Sequence, residues 1–223
     1  MLDAMEPHLR DARSKGIPMM GAGAIYPIPE SAVLVDDFQL PDWWPKAYGL
    51  DVGWNRTAAI FGAWDRNSDV VYLYSEHYQG QQPPSVHASA LRMRGSWLVG
   101  AIDPASAGRG QLDGKRLVDE YNAEGLNLVF ADNAVEAGIH AVYQRMARGG
   151  LKVFKHACRN WLSEFRIYRR DDAGKVIKEN DHLMDATRYL VMTGMMHASL
   201  APTFVEEFNA RQSVHGRNEG TGY

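Results

Sequence analysis

The chain has 223 residues, of which 45% are hydrophobic and 23% are charged, and its formal net charge at pH 7 is -3. These values are typical of a globular protein with one substantial core. The sequence has no apolar run long enough for a membrane helix, its single cysteine excludes an internal disulfide, and its charged N-terminus does not have the pattern of a signal peptide. Because the net charge is slightly negative, a nucleic-acid surface would have to be a local basic patch.

Residues 1–46 hold six of the ten prolines and have no clean hydrophobic period, which predicts an extended lead-in segment. Strand patterns follow at Tyr48–Val52, Thr57–Trp64 and Val70–His77. The turns between them are short, so the three strands are predicted to form an antiparallel meander.

Helices and strands then alternate along the chain. The predicted elements are a helix from Pro84 to Arg94, a strand at Trp97–Ile102, a helix at Gln111–Ala123, a strand at Leu126–Phe130, a helix at Ala134–Met146, a strand at Leu151–Phe154, a helix at Trp161–Ile167, a hairpin-type turn at Arg170–Lys175 and the longest helical pattern at Asp181–His197. This order predicts an α/β architecture with a mixed sheet flanked by helices. The domain is expected to span residues 47–199 and to be followed by a flexible tail, 200–223.

Acidic residues stand at three separated places in this pattern. Asp51 and Asp103 each end an apolar strand, and Asp181 and Asp185 share one side of the last helix. An unpaired buried carboxylate is costly, so Asp51 must be solvated, paired with a cation or bound to a metal. Alone, each acid also fits a turn, a helix cap or a solvated helix pair. Together they have the composition of a site for two Mg²⁺ or Mn²⁺ ions that hydrolyses phosphodiesters.

Three stretches carry a family resemblance: YGLDVGWNRTAAIFGAWDRNSDVVYLY, VGAIDPASAG and EFRIYRRDDAGKVIKENDHLMDATRYLVM. They resemble the C-terminal nuclease domain of the large terminase subunit of tailed bacteriophages, over roughly residues 17–197. The resemblance implies a ribonuclease H-like fold and a metal-dependent endonuclease that cuts concatemeric viral DNA during packaging, in the host cytoplasm. It implies metal ligation by Asp51, Asp103 and one or both of Asp181 and Asp185, with His182 near the ions.

The same resemblance implies double-stranded DNA, a packaging ATPase domain, the portal and the small terminase subunit as partners. The segment Arg109–Arg116, RGQLDGKR, lacks the first glycine and the final Lys-Ser/Thr of an ATPase phosphate loop. We therefore expect this chain to be the nuclease part alone, and to be monomeric when isolated.

Basic residues cluster between Arg145 and Arg188 and predict a surface that binds DNA phosphates, although a solvated basic face has the same composition. The candidate DNA-binding residues are Arg166, Arg169, Arg170, Lys175, Lys178, Lys115 and Arg116. Other functions remain open from the residues alone: a Holliday-junction resolvase or transposase-like nuclease, a non-catalytic DNA-binding packaging module, and a phosphotransferase with a loop at Asp51-Val52-Gly53.

Overall fold

The computed structural model describes residues 23–109 and 115–202. Seven strands form one sheet: β1 (Leu34–Val35), β2 (Lys46–Asp51), β3 (Thr57–Asp65), β4 (Val70–Gln79), β5 (Val99–Ile102), β6 (Asn127–Phe130) and β7 (Leu151–Phe154). The α-helices of these residues are α1 (Glu30–Val33), α2 (Pro84–Arg92), α3 (Leu117–Ala123), α4 (Val135–Ala147), α5 (Arg159–Ile167) and α6 (His182–Met192). Two short 3₁₀ helices, Pro104–Ala107 and Gly194–His197, follow β5 and α6.

The strands lie in the order β1-β7-β4-β3-β2-β5-β6. The central strands β2, β3 and β4 are antiparallel neighbours, as predicted. Parallel strands extend the sheet on both sides, because β5 pairs with β2 and β7 pairs with β4. The predicted mixed α/β architecture is therefore confirmed.

Both faces of the sheet are covered by helices, and each face has its own apolar cluster. One cluster joins Ile60 and Leu73 of the sheet to Trp161 of α5 and Leu190 of α6. The other joins residues such as Leu50 and Phe61 to Leu91 of α2 and Tyr121 of α3. A strand covered on both faces needs apolar residues at every position, which explains the continuous apolar run in β3.

Helix α6 packs directly on β2 and β3, and Gly49 makes this contact possible. A Cβ atom at Gly49 would lie 1.9 Å from the carbonyl oxygen of Ala186 and 2.9 Å from the amide nitrogen of Leu190. No such side chain fits between the strand and the helix. The glycine therefore brings the first turn of α6 close to the end of β2, where Asp51 lies.

Three details differ from the expectations or extend them. The pattern at Asp181–His197 is not the longest helix: α6 has 11 residues and α4 has 13, since the helix gives way to a 3₁₀ turn at Gly194. Part of the lead-in segment, including Tyr26 and Val33, is buried in the core. The predicted start of α3 at Gln111 and the predicted tail fall largely outside the described residues. The domain limits themselves stay predictions.

In the described ranges, none of the helices has the length and apolarity required to cross a lipid bilayer.

Candidate functional site

Asp51 and Asp103 leave the sheet side by side at the same edge. Strands β2 and β5 are parallel neighbours, with Leu50 opposite Ile102. The amide of Asp103 donates a hydrogen bond to the carbonyl oxygen of Leu50, at 3.3 Å, which continues the pairing by one residue. Parallel strands bring their carboxyl ends to one edge, so the placement follows from the topology.

The two carboxylates differ in what surrounds them. Asp103 precedes the 3₁₀ helix, and its Oδ1 accepts a hydrogen bond from the amide of Ala105 at 3.0 Å. Asp51 is more enclosed, with a side chain 16% exposed. Burial raises the pKa of Asp51, a hydrogen bond from His182 opposes this shift, and the negative charges of Asp185 and Asp103 raise the pKa further.

His182, the first residue of α6, reaches back to the end of β2. Its Nδ1 lies 2.9 Å from Oδ2 of Asp51, so an Nδ1–H group donates to the carboxylate. This hydrogen bond raises the pKa of His182 above its ordinary value, against the effect of burial. The histidine thus fixes one oxygen of Asp51 and ties the last helix to the sheet edge.

Asp181 and Asp185 are held together by a cation from their own chain. The Lys178 ammonium lies 3.0 Å from Oδ2 of Asp181 and 2.8 Å from Oδ2 of Asp185. The buried Arg188 guanidinium contacts the other oxygen of Asp185 at 2.8 Å. Two carboxylates one helical turn apart repel each other unless a cation neutralises them, and Lys178 has that position here.

Asp185 and Asp181 differ in their surroundings. The charge of Asp185 raises the pKa of Asp51, and the charges of Asp185, Asp103 and Asp51 together raise the pKa of Tyr189, which burial already raises. Asp181 occupies the N-cap position of α6, but its side chain makes no capping hydrogen bond. The sequence alone could not separate these two acids.

Glu164 is a site residue that the sequence analysis missed. It lies on α5, is 2% exposed, and accepts hydrogen bonds through Oε2 from the amides of Leu183, at 2.6 Å, and Met184, at 3.3 Å. Burial raises the pKa of Glu164, and these hydrogen bonds oppose the shift. A carboxylate from another helix therefore caps α6, and no local sequence signal reveals it.

Six of the seven predicted DNA-binding residues divide into two groups. Four form ion pairs within the chain: Arg166 with Glu30, Arg170 with Glu136, Arg116 with Asp119, and Lys178 with the two acids of α6. Arg169 and Lys175 are exposed beside the hairpin turn, in which Arg170 bridges to Val176. The ion pairs of Arg166 and Arg116 are exposed, and such pairs are worth about 0–1 kcal/mol, so a DNA phosphate can replace their carboxylate partners. The DNA-binding role of all seven stays a prediction.

A cavity of about 460 Å³ opens next to Asp103. Its walls include Val52, Ser106, Arg109 and Lys115, so basic side chains stand beside one of the candidate ligands. The predicted contribution of Lys115 to a phosphate-binding surface fits this position.

Within residues 23–109 and 115–202, no three His, Cys, Asp or Glu side chains stand close enough to hold one metal ion. The donors present are nonetheless carboxylates, which divalent ions that prefer oxygen bind, and the negative charges of Asp185 and Asp103 raise the pKa of Asp51. Such mutual repulsion is relieved by a bound cation.

Comparison with known proteins gives this geometry a context. The family described as Terminase RNaseH-like domain matches residues 48–193, which is more than half of the chain. The chain belongs to this terminase family. The resemblance found in the sequence and the ribonuclease H-like fold are thereby confirmed.

Individual relatives agree with the family assignment. The large terminase subunit of Salmonella phage P22 is 35% identical over 195 residues, covering 82% of this chain and 38% of that protein. The solved structure of the P22 large terminase nuclease domain is 30% identical, with a TM-score of 0.72, and covers 81% of this chain and 96% of that domain. The nuclease domain of the SPP1 large terminase, solved with bound Mn, has a TM-score of 0.57 at 16% identity, over 73% and 96% of the two chains.

This chain spans about two fifths of the length of its curated P22 relative. Its match to the solved P22 nuclease domain covers nearly all of that domain.

Proposed function

We propose that this terminase domain is a divalent-metal-dependent endonuclease that cuts double-stranded DNA during viral genome packaging, in the host cytoplasm. The observation that supports it most directly is that Asp51 and Asp103 end neighbouring parallel strands at one sheet edge, where His182 of α6 lies 2.9 Å from Asp51. The similarity to the P22 nuclease domain supports the reaction class, and the Mn in the SPP1 nuclease domain supports the ion type.

In this proposal Asp51, Asp103 and Asp185 hold Mg²⁺ or Mn²⁺. When bound at such a site, two divalent ions activate a water molecule and stabilise the leaving oxygen of the phosphodiester. His182 orients Asp51 through the 2.9 Å hydrogen bond, so that the second carboxylate oxygen stays available. The Lys178 ammonium is 51% exposed, so its flexible side chain can leave the acids for a DNA phosphate.

Basic residues around the hairpin turn and the cavity next to Asp103 are proposed to contact the DNA backbone. Phosphate contacts are driven by charge and carry no sequence information, so these contacts alone would select no cut site. In the full-length protein, the partners proposed from the curated relatives are an ATPase domain, the portal and the small subunit.

A non-catalytic DNA-binding module is the second candidate, and one observation favours it. Both carboxylate oxygens of Asp185 already contact cations of the chain, Lys178 and Arg188. If these pairs are permanent, the acids serve only to stabilise the fold. This candidate predicts no rise in melting temperature with MnCl₂ and no cleavage.

Plasmid cleavage in MnCl₂ tests the two candidates. Asp51→Asn and Asp103→Asn should each abolish nicking and linearisation while far-UV circular dichroism stays unchanged. Asp42→Asn is the matched control, because Asp42 is exposed and precedes β2 at its other end. Normal cleavage by either site variant would reject the assignment, and an inactive wild type without any Mn-dependent stabilisation would favour the second candidate.

A further inference from the structure

The loop that follows Asp51 presents an exposed indole beside the acidic site. Trp54 is 70% exposed and stands three residues after Asp51, between β2 and β3. Three residues of chain span at most about 10 Å, so the Cα atom of Trp54 lies within that distance of the Cα atom of Asp51. Large aromatic side chains left in water are informative, because their burial is favourable.

The exposure of Trp54 does not result from a poorly supported loop. Its carbonyl oxygen accepts a hydrogen bond from the amide of Gln81 at 2.7 Å, which ties the loop to the end of β4. The Thr57 hydroxyl donates to the carbonyl oxygen of Gly53 at 3.1 Å. Gly80 lets the loop pack closely, since a Cβ there would lie 2.0 Å from the Asn55 carbonyl oxygen. These contacts fix the backbone of the loop, and the indole that it carries is exposed to solvent.

The loop that carries Trp54 also carries a positive charge. Arg56, two residues later in the same loop, has its guanidinium carbon 4.3 Å from the centre of the Tyr78 ring. An aromatic plane beside a cation is the combination with which proteins bind unpaired nucleotides, whose bases stack and whose phosphates pair with the charge. In a regular duplex the base faces are covered by their neighbours, so only an unpaired base offers a free face.

We propose that Trp54 stacks on an unpaired nucleobase close to the phosphate that lies at the acidic site. The loop then holds one DNA strand in register with Asp51. This inference rests on the proposed nuclease function of the same sheet edge, but its test does not require cleavage.

The test measures binding of a labelled oligothymidine strand and of a blunt duplex of equal length, in EDTA at low salt. Trp54→Ala should weaken binding of the single strand about tenfold, equivalent to about 1.4 kcal/mol, and binding of the duplex less than twofold. Trp54→Phe should keep most of the affinity, but lose most of the tryptophan fluorescence quenching that the single strand produces in the wild type. Trp43→Ala is the control, because Trp43 is 71% exposed and precedes β2, at the end opposite Asp51.

Unchanged single-strand affinity in Trp54→Ala, or equal losses for both probes, would overturn the stacking proposal. Equal loss in Trp43→Ala would also do so, since it would indicate a general effect of surface tryptophans. If instead Asp51→Asn cuts plasmid normally while the Trp54 variants behave as expected, the nuclease site fails and the base contact stands.

Discussion

Replacing Glu164 tests whether a buried carboxylate on α5 organises the start of α6. In Glu164→Ala, the amides of Leu183 and Met184 lose their acceptor in a buried environment. Each buried amide left without a partner costs about 1–3 kcal/mol. The lost attraction between the negative charge and the helix N-terminus adds about 0.3–1 kcal/mol.

Because the second of the two hydrogen bonds is long, at 3.3 Å, we take the lower half of the range of about 1–3 kcal/mol for each amide. We therefore expect Glu164→Ala to lose about 3 kcal/mol of unfolding free energy. This is a large part of the roughly 5–15 kcal/mol that stabilises a typical domain. Glu164→Gln keeps a carbonyl oxygen as acceptor and avoids burying a charge, so it should lose only about 1 kcal/mol.

Urea denaturation followed by circular dichroism measures both effects. Glu179→Ala is the control, since Glu179 is exposed just before α6 and should change stability by less than about 0.5 kcal/mol. For cleavage, Glu164→Gln should raise the MnCl₂ concentration needed for half-maximal rate, because α6 carries Asp185 and His182. An unfolding midpoint of Glu164→Ala equal to that of the wild type would refute the capping role.

Two further perturbations follow from the packing. Gly49→Ala should lower the unfolding free energy measured in urea by at least about 3 kcal/mol, because its Cβ atom would lie 1.9 Å from the α6 backbone. Gly62→Ala is the control and should lose less, because its Cβ atom would meet the flexible end of a side chain at 2.8 Å. Equal losses in the two variants would contradict this reasoning. Burial, with the charges of His87 and Arg94, lowers the pKa of His77 to about 4. Between pH 6.5 and 4 the unfolded chain therefore binds more protons than the folded chain. The free energy of unfolding should fall as the pH drops through that window, by up to about 3 kcal/mol. His77→Leu should reduce this loss of stability at low pH, and the control His140→Gln, at an exposed position, should not. An unaltered dependence of stability on pH in His77→Leu would show that His77 is not the group responsible.

Strand ends could be predicted well because their signals are local. Asp51 follows an apolar run and precedes a glycine, and Asp103 follows another run and precedes a proline. Once β2 and β5 were predicted to belong to one sheet, the shared edge followed from strand direction. The meander of β2, β3 and β4 was equally readable, since short turns permit only antiparallel neighbours.

The last helix shows where this reasoning ends. Sequence spacing places Asp181 and Asp185 on one side of a helix, but it does not show which of them is turned towards Asp51. That choice depends on how α6 is rotated on the sheet, which the contact at Gly49 and the Glu164 carboxylate decide. The ion pairs of Lys178 depend on the same packing.

The sequence by itself determined the alternation of strands and helices, the acidic residues at strand ends and the family to which the chain belongs, since all of these depend on residues adjacent in the chain or on motifs. Only the tertiary structure decided that His182 contacts Asp51, that Glu164 caps α6, and that Trp54 is exposed. Those facts depend on side chains that meet across large sequence separations, and the packing of the sheet and helices brings them together.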